Sequence, residues 1–176
     1  MIQMNQNVFN FNPILYQQKL NELQMKIQNF NVNIYDCFEY NQKMDYFTGE
    51  NSMYCNNCKA NIPASYFTKL YTSPEILIIV LNRGKGIEFK VKLEFYEDLD
   101  LQKYIQLSDT GYKYKLIGVV THLGESGASG HFIAYCKSPI DNKWYNYNDD
   151  LVTKVDNFKK QIIDYAMPYI LFFQKT

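Results

Sequence analysis

The sequence has no net charge, because its 18 lysine and arginine residues equal its 18 aspartate and glutamate residues. A broad nucleic-acid surface needs clustered positive charge to displace counterions, so this balance argues against one. No apolar run approaches the roughly 18 residues that a membrane span requires. The first residues, MIQMNQNVFNFNPI, lack the basic start and continuous apolar stretch of a secretory signal. We therefore expect that the protein has no nucleic-acid partner and does not associate with a membrane.

Cysteine is scarce as well. The chain of 176 residues has 4 cysteines, and two of them have the spacing Cys55-x-x-Cys58. This does not resemble a disulfide framework, so the expected compartment is reducing and intracellular, either cytoplasmic or nuclear. Hydrophobic residues make up 47% of the chain, and tyrosine and phenylalanine are abundant. A chain of this length and composition predicts one domain with a packed aromatic core.

The hydropathy pattern predicts helices first and strands afterwards. Residues 1–12 are rich in Asn and Gln, and the apolar spacing over 14–30 indicates a helix. Asn33 is placed to cap a second helix, with Asp36 in its first turn. The β-branched run 75–81 is typical of a central strand that is buried on both faces. Other strands are predicted near 66–71, 89–91, 114–121, 132–136, 144–147 and 170–173. This order predicts an α+β fold with a mostly antiparallel sheet.

Histidine is rarer still, and both histidines, His122 and His131, lie in one segment. Histidine is the side chain that exchanges protons near neutral pH. The turn-rich segment 138–143 predicts a hairpin that sets His131 opposite residues near 148 to 150. An amide or carboxylate there can hold one imidazole nitrogen and leave the other to serve a nucleophile. Register cannot be read from sequence, so Asn148 and Asp149 remain alternatives. In the competing interpretation, His131 only caps a strand and residues 148–150 form an ordinary turn.

A resemblance to a known family begins with this segment. The string YKLIGVVTHLGESGASGHFIAY, followed by WYNYNDDLV, resembles the histidine box of the ubiquitin-specific proteases, the papain-like family of deubiquitinating enzymes. The strings IYDCFEY, GENSMYCNNCKA, SPEILIIVLNR and PYILFF resemble further segments of the family, in the same order. The resemblance covers residues 32–176. It implies the C-terminal palm and fingers portion of the catalytic domain without the thumb, preceded by a lead-in and helix at 1–31.

The resemblance also implies roles for individual residues. His131 matches the catalytic general base, Asn148 the third member of the triad, and Asp149 the acidic residue that follows it. A second group matches positions beside the active site and in a glycine-rich loop that closes over the ubiquitin tail: His122, Gly124 and Gly130.

The N-terminal cysteine box of the family is missing from this sequence. Cys37 falls in the IYDCFEY helix, which the family uses structurally, and Cys136 follows the histidine on a strand as a small core residue. Cys55 and Cys58 supply half of the four ligands that a structural zinc needs. We therefore expect no cofactor, with zinc at Cys55 and Cys58 as the less favoured alternative.

The function that the resemblance implies is that of a deubiquitinating cysteine protease, a thiol-dependent hydrolase of isopeptide bonds after the C-terminal glycine of ubiquitin. The chain is expected to hold the His/Asn half of that domain, with ubiquitin or ubiquitinated proteins as partners. One alternative is a catalytically inactive ubiquitin-binding or scaffold protein. The other is an incomplete gene product whose missing part contains the cysteine box.

Overall fold

A seven-stranded antiparallel sheet forms the centre of the fold in the computed structural model. The structure describes residues 14, 17–18, 21–22, 25, 31–83, 91–106, 111–126, 129–164 and 167–176. The strands in chain order are β1 (Asn31–Asn33), β2 (Asp45–Phe47), β3 (Met53–Cys55), β4 (Ala60–Ile62), β5 (Ala64–Tyr66), β6 (Ile76–Val80), β7 (Lys92–Glu94), β8 (Asp98–Asp100), β9 (Lys113–Ser126), β10 (Ser129–Lys137), β11 (Trp144–Asn148), β12 (Leu151–Lys154) and β13 (Pro168–Lys175). The central sheet has the order β12-β11-β10-β9-β13-β6, and β8 also pairs with β9.

Smaller pairs of strands lie outside this sheet. Strands β1 and β7 pair in parallel, whereas β2 with β5 and β3 with β4 form antiparallel pairs. A 3-10 helix spans Gly49–Asn51, and a π-helix spans Lys159–Ile163. The observed architecture is therefore α+β with a mostly antiparallel sheet, as the sequence predicts.

The helix α1 (Ile34–Asn41) begins where the sequence predicts a cap. The side chain of Asn33 accepts a hydrogen bond from the N–H of Tyr35, and Asp36 accepts one from the N–H of Asn33, at 2.9 Å each. This reciprocal capping box satisfies N–H groups that have no partner inside the helix. Ile34 of α1 is 1% exposed and belongs to the core.

The core joins residues of the central sheet to Ile34 of α1 and Ile162 of the π-helix. Strands β9 and β13 contribute its centre, where cross-strand register places Val119 opposite Leu171 and Leu116 opposite Phe173. All four side chains are at most 1% exposed. A register shift between Phe172 and Phe173 allows both pairs to face the core, because an inserted residue reverses the alternation of side chains.

The structure differs from the predicted pattern at β6. The run 75–81 was expected to be a central strand buried on both faces, but β6 is the last strand of the sheet. Its burial alternates, and the side chains of Ile76, Ile78 and Val80 are 45%, 55% and 70% exposed. The expectation failed because an uninterrupted apolar strand carries no information on how many neighbours it has.

The other predicted elements have mixed outcomes. The strands near 114–121, 132–136, 144–147 and 170–173 are confirmed. Strand β12 was missed because its side chains are all exposed and give no alternation, and the three-residue strands β1–β4, β7 and β8 were missed because they are too short to show a pattern. Around 66–71, only Tyr66 lies in a strand, while Leu70 makes an isolated bridge. Most of the segment 89–91 and the apolar residues that predict a helix over 14–30 lie outside the described residues. The described positions of that helix are helical and exposed: Ile14, Gln17, Gln18, Asn21, Glu22 and Met25.

Candidate active site

The β10–β11 hairpin brings His131 and Asn148 together. The turn is closed by the N–H of Ser138, which donates to the carbonyl of Lys143 at 2.8 Å. From that turn the register runs to Ala134 opposite Tyr147. Continuing this alternation places Asn148 on the same face as His131 and diagonal to it. The imidazole Nε2 of His131 lies 2.7 Å from Oδ1 of Asn148.

The chemistry of this contact assigns the two ring nitrogens. An amide oxygen can only accept, so Nε2 of His131 carries the proton and donates it to Asn148. The second nitrogen, Nδ1, then has its lone pair available to take a proton from a nucleophile. The side chain of His131 is 44% exposed, so solvent and substrate can reach it. The ring therefore has the orientation of a general base.

Asp149 occupies the turn between β11 and β12. Its backbone φ is +50°, a left-handed conformation that aspartate tolerates better than most residues. Its Oδ2 lies 3.7 Å from Nε2 of His131, and its side chain is 79% exposed. Asn148 thus makes the short hydrogen bond, whereas Asp149 stands at ion-pair distance from the same nitrogen. This geometry resolves the alternative that the sequence left open.

His122 belongs to the other face of the β9–β10 hairpin. The register sets Phe132 opposite His122 and Leu123 opposite His131, and neighbouring residues of a strand point to opposite faces. The ring of His122 is 6% exposed and packs edge-on against Phe132, with centroids 4.9 Å apart, and against Tyr169 at 5.7 Å. His122 therefore does not share the face of His131, and the supporting role that was expected for it stays a prediction.

The glycines near His122 lie in strands, although the sequence suggested a loop. Gly124 is in β9 and Gly130 is in β10, at a register irregularity between Ser129 and His131. A Cβ atom on Gly130 would be 2.1 Å from Cε1 of His122, and one on Gly124 would be 2.7 Å from it. These glycines leave the space that the imidazole of His122 fills. Their expected contact with a ubiquitin tail stays a prediction.

Arg83 is a residue near this end of the sheet that the sequence analysis did not single out. It is 7% exposed, its Nε donates to the carbonyl of Pro168 at 2.6 Å, and its Nη1 donates to the carbonyl of Val91 at 2.7 Å. Burial lowers the pKa of its guanidinium. Arg83 thus ties the end of β6 to the start of β13, which lies opposite Thr121 of β9. No sequence pattern marks a buried arginine of this kind.

Cys55 and Cys58 lie at the β3–β4 turn, outside the central sheet. Hydrogen bonds from the backbone of Cys58 and Asn57 and from the Cys58 thiol hold the pKa of Cys55 below its usual value. The same contact raises the pKa of Cys58. Within the residues that the structure describes, no group of three or more His, Cys, Asp or Glu side chains could hold a metal ion. The pair therefore does not form a tetrahedral zinc site with other described residues.

The remaining two cysteines, also in the described part of the chain, do not face His131. Cys136 is on β10 five positions after His131, an odd separation that places it on the opposite face. Cys37 is on α1 beside the β6 end of the sheet, and β6 is three strand spacings, roughly 14 Å, from β10. Cys136 was expected to be a small core residue, but it is exposed, because its side chain is on the face of β10 opposite Ile133 of the core. Partial desolvation raises the pKa of both thiols. Neither has the setting of an activated nucleophile.

Comparison with known proteins identifies the class to which this fold and site belong. The family model for ubiquitin carboxyl-terminal hydrolase matches residues 8–173. That match covers more than half of the chain, and the order of the strands and the His131–Asn148 contact are consistent with it. The chain belongs to the ubiquitin carboxyl-terminal hydrolase family.

Individual relatives agree with this membership. Ubiquitin carboxyl-terminal hydrolase 48 of Rattus norvegicus is 30% identical over 151 residues, which are 82% of this chain and 14% of the relative. Ubiquitin carboxyl-terminal hydrolase 17-like protein B of Mus musculus is 37% identical over 119 residues, which are 65% of this chain and 25% of the relative. The chain thus spans a quarter or less of the length of these relatives.

A solved structure shows the same fold. A chain of the SAGA Ubp8/Sgf11/Sus1/Sgf73 DUB module matches with a TM-score of 0.65 and 24% sequence identity, over 83% of this chain and 33% of that chain. The α+β, papain-like fold class that the sequence implied is therefore confirmed. Among the described residues, no helix has the length and apolar character needed to cross a membrane.

The fit between Gly130 and His122 can be tested by a double-mutant cycle. We expect Gly130→Ala to lower the free energy of unfolding by about 1–3 kcal/mol, because the new methyl group meets the imidazole and φ is +155°. Combining it with His122→Ala should recover part of this loss, since the steric conflict is removed. Gly111→Ala is the matched control and should be nearly neutral, because its Cβ meets only the flexible end of Lys175 at 3.3 Å and a backbone oxygen at 3.7 Å. Additive effects in denaturant titrations would contradict the proposed conflict.

The cysteines should differ in reactivity. The thiolate is the form that is alkylated, so a lowered pKa raises the reactive fraction at a given pH. We expect iodoacetamide to modify Cys55 faster than Cys37 and Cys136 at neutral pH. As the pH is raised, the alkylation rate of Cys55 should increase at a lower pH than the rates of Cys37 and Cys136. Pulsed labelling at several pH values with peptide mass spectrometry measures this. Equal rates at the three positions would show that the hydrogen bonds to Cys55 do not stabilise its thiolate.

Proposed function

We propose that this chain provides the general base and its orienting residue to a deubiquitinating thiol hydrolase. The observation that carries the proposal is the 2.7 Å contact between His131 Nε2 and Asn148 Oδ1, on a ring that is half-exposed. Membership in the ubiquitin carboxyl-terminal hydrolase family supports the isopeptide bond after ubiquitin as the substrate. We assign His131 the role of general base and Asn148 the role of orienting residue. Asp149 is a nearby acidic group.

In the proposed reaction a cysteine thiol gives its proton to Nδ1 of His131. The thiolate then attacks the carbonyl carbon of the last glycine of ubiquitin, and the proton passes from His131 to the leaving lysine amine. Water, deprotonated by His131, hydrolyses the resulting thioester and releases the free carboxylate and the thiol. Asn148 orients the imidazole through its amide oxygen, and Asp149 at 3.7 Å adds negative charge near the imidazolium.

The nucleophile is not among the four cysteines of this chain. Cys37, Cys55, Cys58 and Cys136 all lie in described segments, and none of them is placed to give its proton to Nδ1 of His131. This observation favours a second candidate function, in which the chain binds ubiquitin without hydrolysing its conjugates. The two candidates share the ubiquitin-facing surface around His131 and differ in whether a thiol is supplied there.

The proposed ubiquitin surface predicts a response that depends on the ubiquitin tail. We expect intact ubiquitin to shift the backbone NMR signals of Leu123, His131 and Asn148, because the C-terminal carbonyl must approach Nδ1 of His131. Ubiquitin that lacks its two terminal glycines should leave these three signals in place. If intact and truncated ubiquitin gave the same spectra, the site around His131 would not be a ubiquitin-tail site, and both candidate functions would fail.

Covalent labelling separates hydrolysis by this chain alone from binding. Ubiquitin vinyl sulfone traps a thiolate held beside a bound ubiquitin tail. We expect no adduct with the 176-residue chain, because the pKa values of Cys37 and Cys136 are raised and the Cys55–Cys58 turn is outside the central sheet. An adduct that disappeared in His131→Ala and in one single Cys→Ser variant would identify a complete active site within this chain and overturn this expectation.

A further inference from the structure

Among the described residues, strand β6 has one edge that pairs with no other strand. It is the last strand of the central sheet, and within the described segments its hydrogen-bonded neighbour is β13 alone. The register between β6 and β13 runs without a shift from Ile76 to Val80. One row of N–H and C=O groups of β6 is therefore not used in the sheet, and it can pair with a further strand.

The identity of that row follows from two hydrogen bonds at the ends of β6. The N–H of Leu81 donates to the carbonyl of Tyr169, and the carbonyl of Glu75 accepts from the N–H of Lys175. Odd-numbered residues therefore point their backbone groups towards β13, because the direction alternates along a strand. The backbone groups of Ile76, Ile78 and Val80 point towards the open edge.

The same three residues have exposed side chains, at 45%, 55% and 70%. Exposed edge strands are commonly protected by a lysine, a proline or a bulge, and the sequence ILIIV has none of these. The opposite edge of the sheet, β12, is short and ends in Lys154. Strand β12 also exposes Leu151 and Val152, but it ends in Thr153 and Lys154, whereas all five residues of β6 are aliphatic.

A groove of about 820 Å³ adjoins this edge. It is lined by five consecutive residues of the chain, from Leu77 to Leu81, and by residues of α1 that include Cys37 and Phe38. Odd-numbered and even-numbered residues of β6 both line it, including Ile78 and Val80, whose backbone groups point towards the open edge. An added strand can direct every second side chain into this apolar space.

We propose that the occupant of the β6 edge is β6 of a second copy of this chain. An antiparallel pairing with its two-fold axis at Ile78 sets Ile78 opposite its own counterpart and Ile76 opposite Val80. The paired residues are those whose backbone groups point outward, so each pair forms two hydrogen bonds. No charged residue lies between Ile76 and Leu81, and therefore no like charges meet. The result is a closed dimer with one sheet continuous through both copies.

The proposal is tested by the oligomeric state of the chain. We expect a concentration-dependent dimer in sedimentation velocity, and a dissociation constant that Ile78→Lys raises about tenfold or more, because edge lysines oppose strand pairing. Ile140→Lys is the matched control, since Ile140 is 94% exposed at the turn between β10 and β11. It should leave the dissociation constant unchanged.

Proline substitutions separate edge pairing from folding. Ile78→Pro removes an N–H that points to the open edge, so the variant should fold, with an unchanged far-UV spectrum, and be monomeric. Ile79→Pro removes an N–H that points to β13 and should lower the melting temperature. A monomeric wild-type chain, an open-ended series of larger species, or a dimer that persists in Ile78→Pro would each overturn the proposal. These outcomes do not depend on the proposed deubiquitinating function.

Discussion

The pairing of β9 with its three neighbours is the constraint on which the rest of the structure depends. Its 14 residues pair with β8 at one end, with β13 along one edge and with β10 along the other. Leu116 and Val119 are buried from this strand, and a slip by one residue would move them to the outer face. The register of β9 is thus fixed by the core, and it fixes that of β10, which carries His131.

The candidate site uses this rigidity at the end of the sheet. A hydrogen bond of 2.7 Å to Asn148 selects one tautomer of His131 and leaves Nδ1 as the basic nitrogen. The site residues stand on strands and a short turn, so their separation does not rely on a long loop. An amide in this position orients the ring without adding a formal charge, and the nearby carboxylate of Asp149 is on an exposed turn. In the proposed reaction, this arrangement leaves Nδ1 of His131 free to accept a proton from a thiol.

The candidate site and the β6 edge, which is unpaired among the described residues, lie on the same sheet. At one side of the sheet, the four-residue strand β12 pairs with β11, which carries Asn148. At the other side, β6 presents aliphatic side chains and unused backbone groups beside the groove at α1. Both features are surfaces for which a second polypeptide is proposed, a ubiquitin tail at His131 and a strand at β6. Neither surface is explained by the packing of the described residues alone.

The sequence by itself determined the local structure and the identity of the chemical groups. Asn33 and Asp36 predict the cap of α1, and the β-branched and aromatic runs predict five of the seven strands of the central sheet. The short turn at 138–143 predicts that His131 meets the residues near 148. These features depend on neighbours that are close in the chain. The family resemblance implied Asn148 for the orienting role, and the tertiary structure gives it the short hydrogen bond to His131. Only the tertiary structure decided that His122 lies on the opposite face and that β6 is an edge strand among the described residues. The register of a strand and its place in a sheet depend on partners that are distant in sequence, and a side-chain pattern does not name those partners.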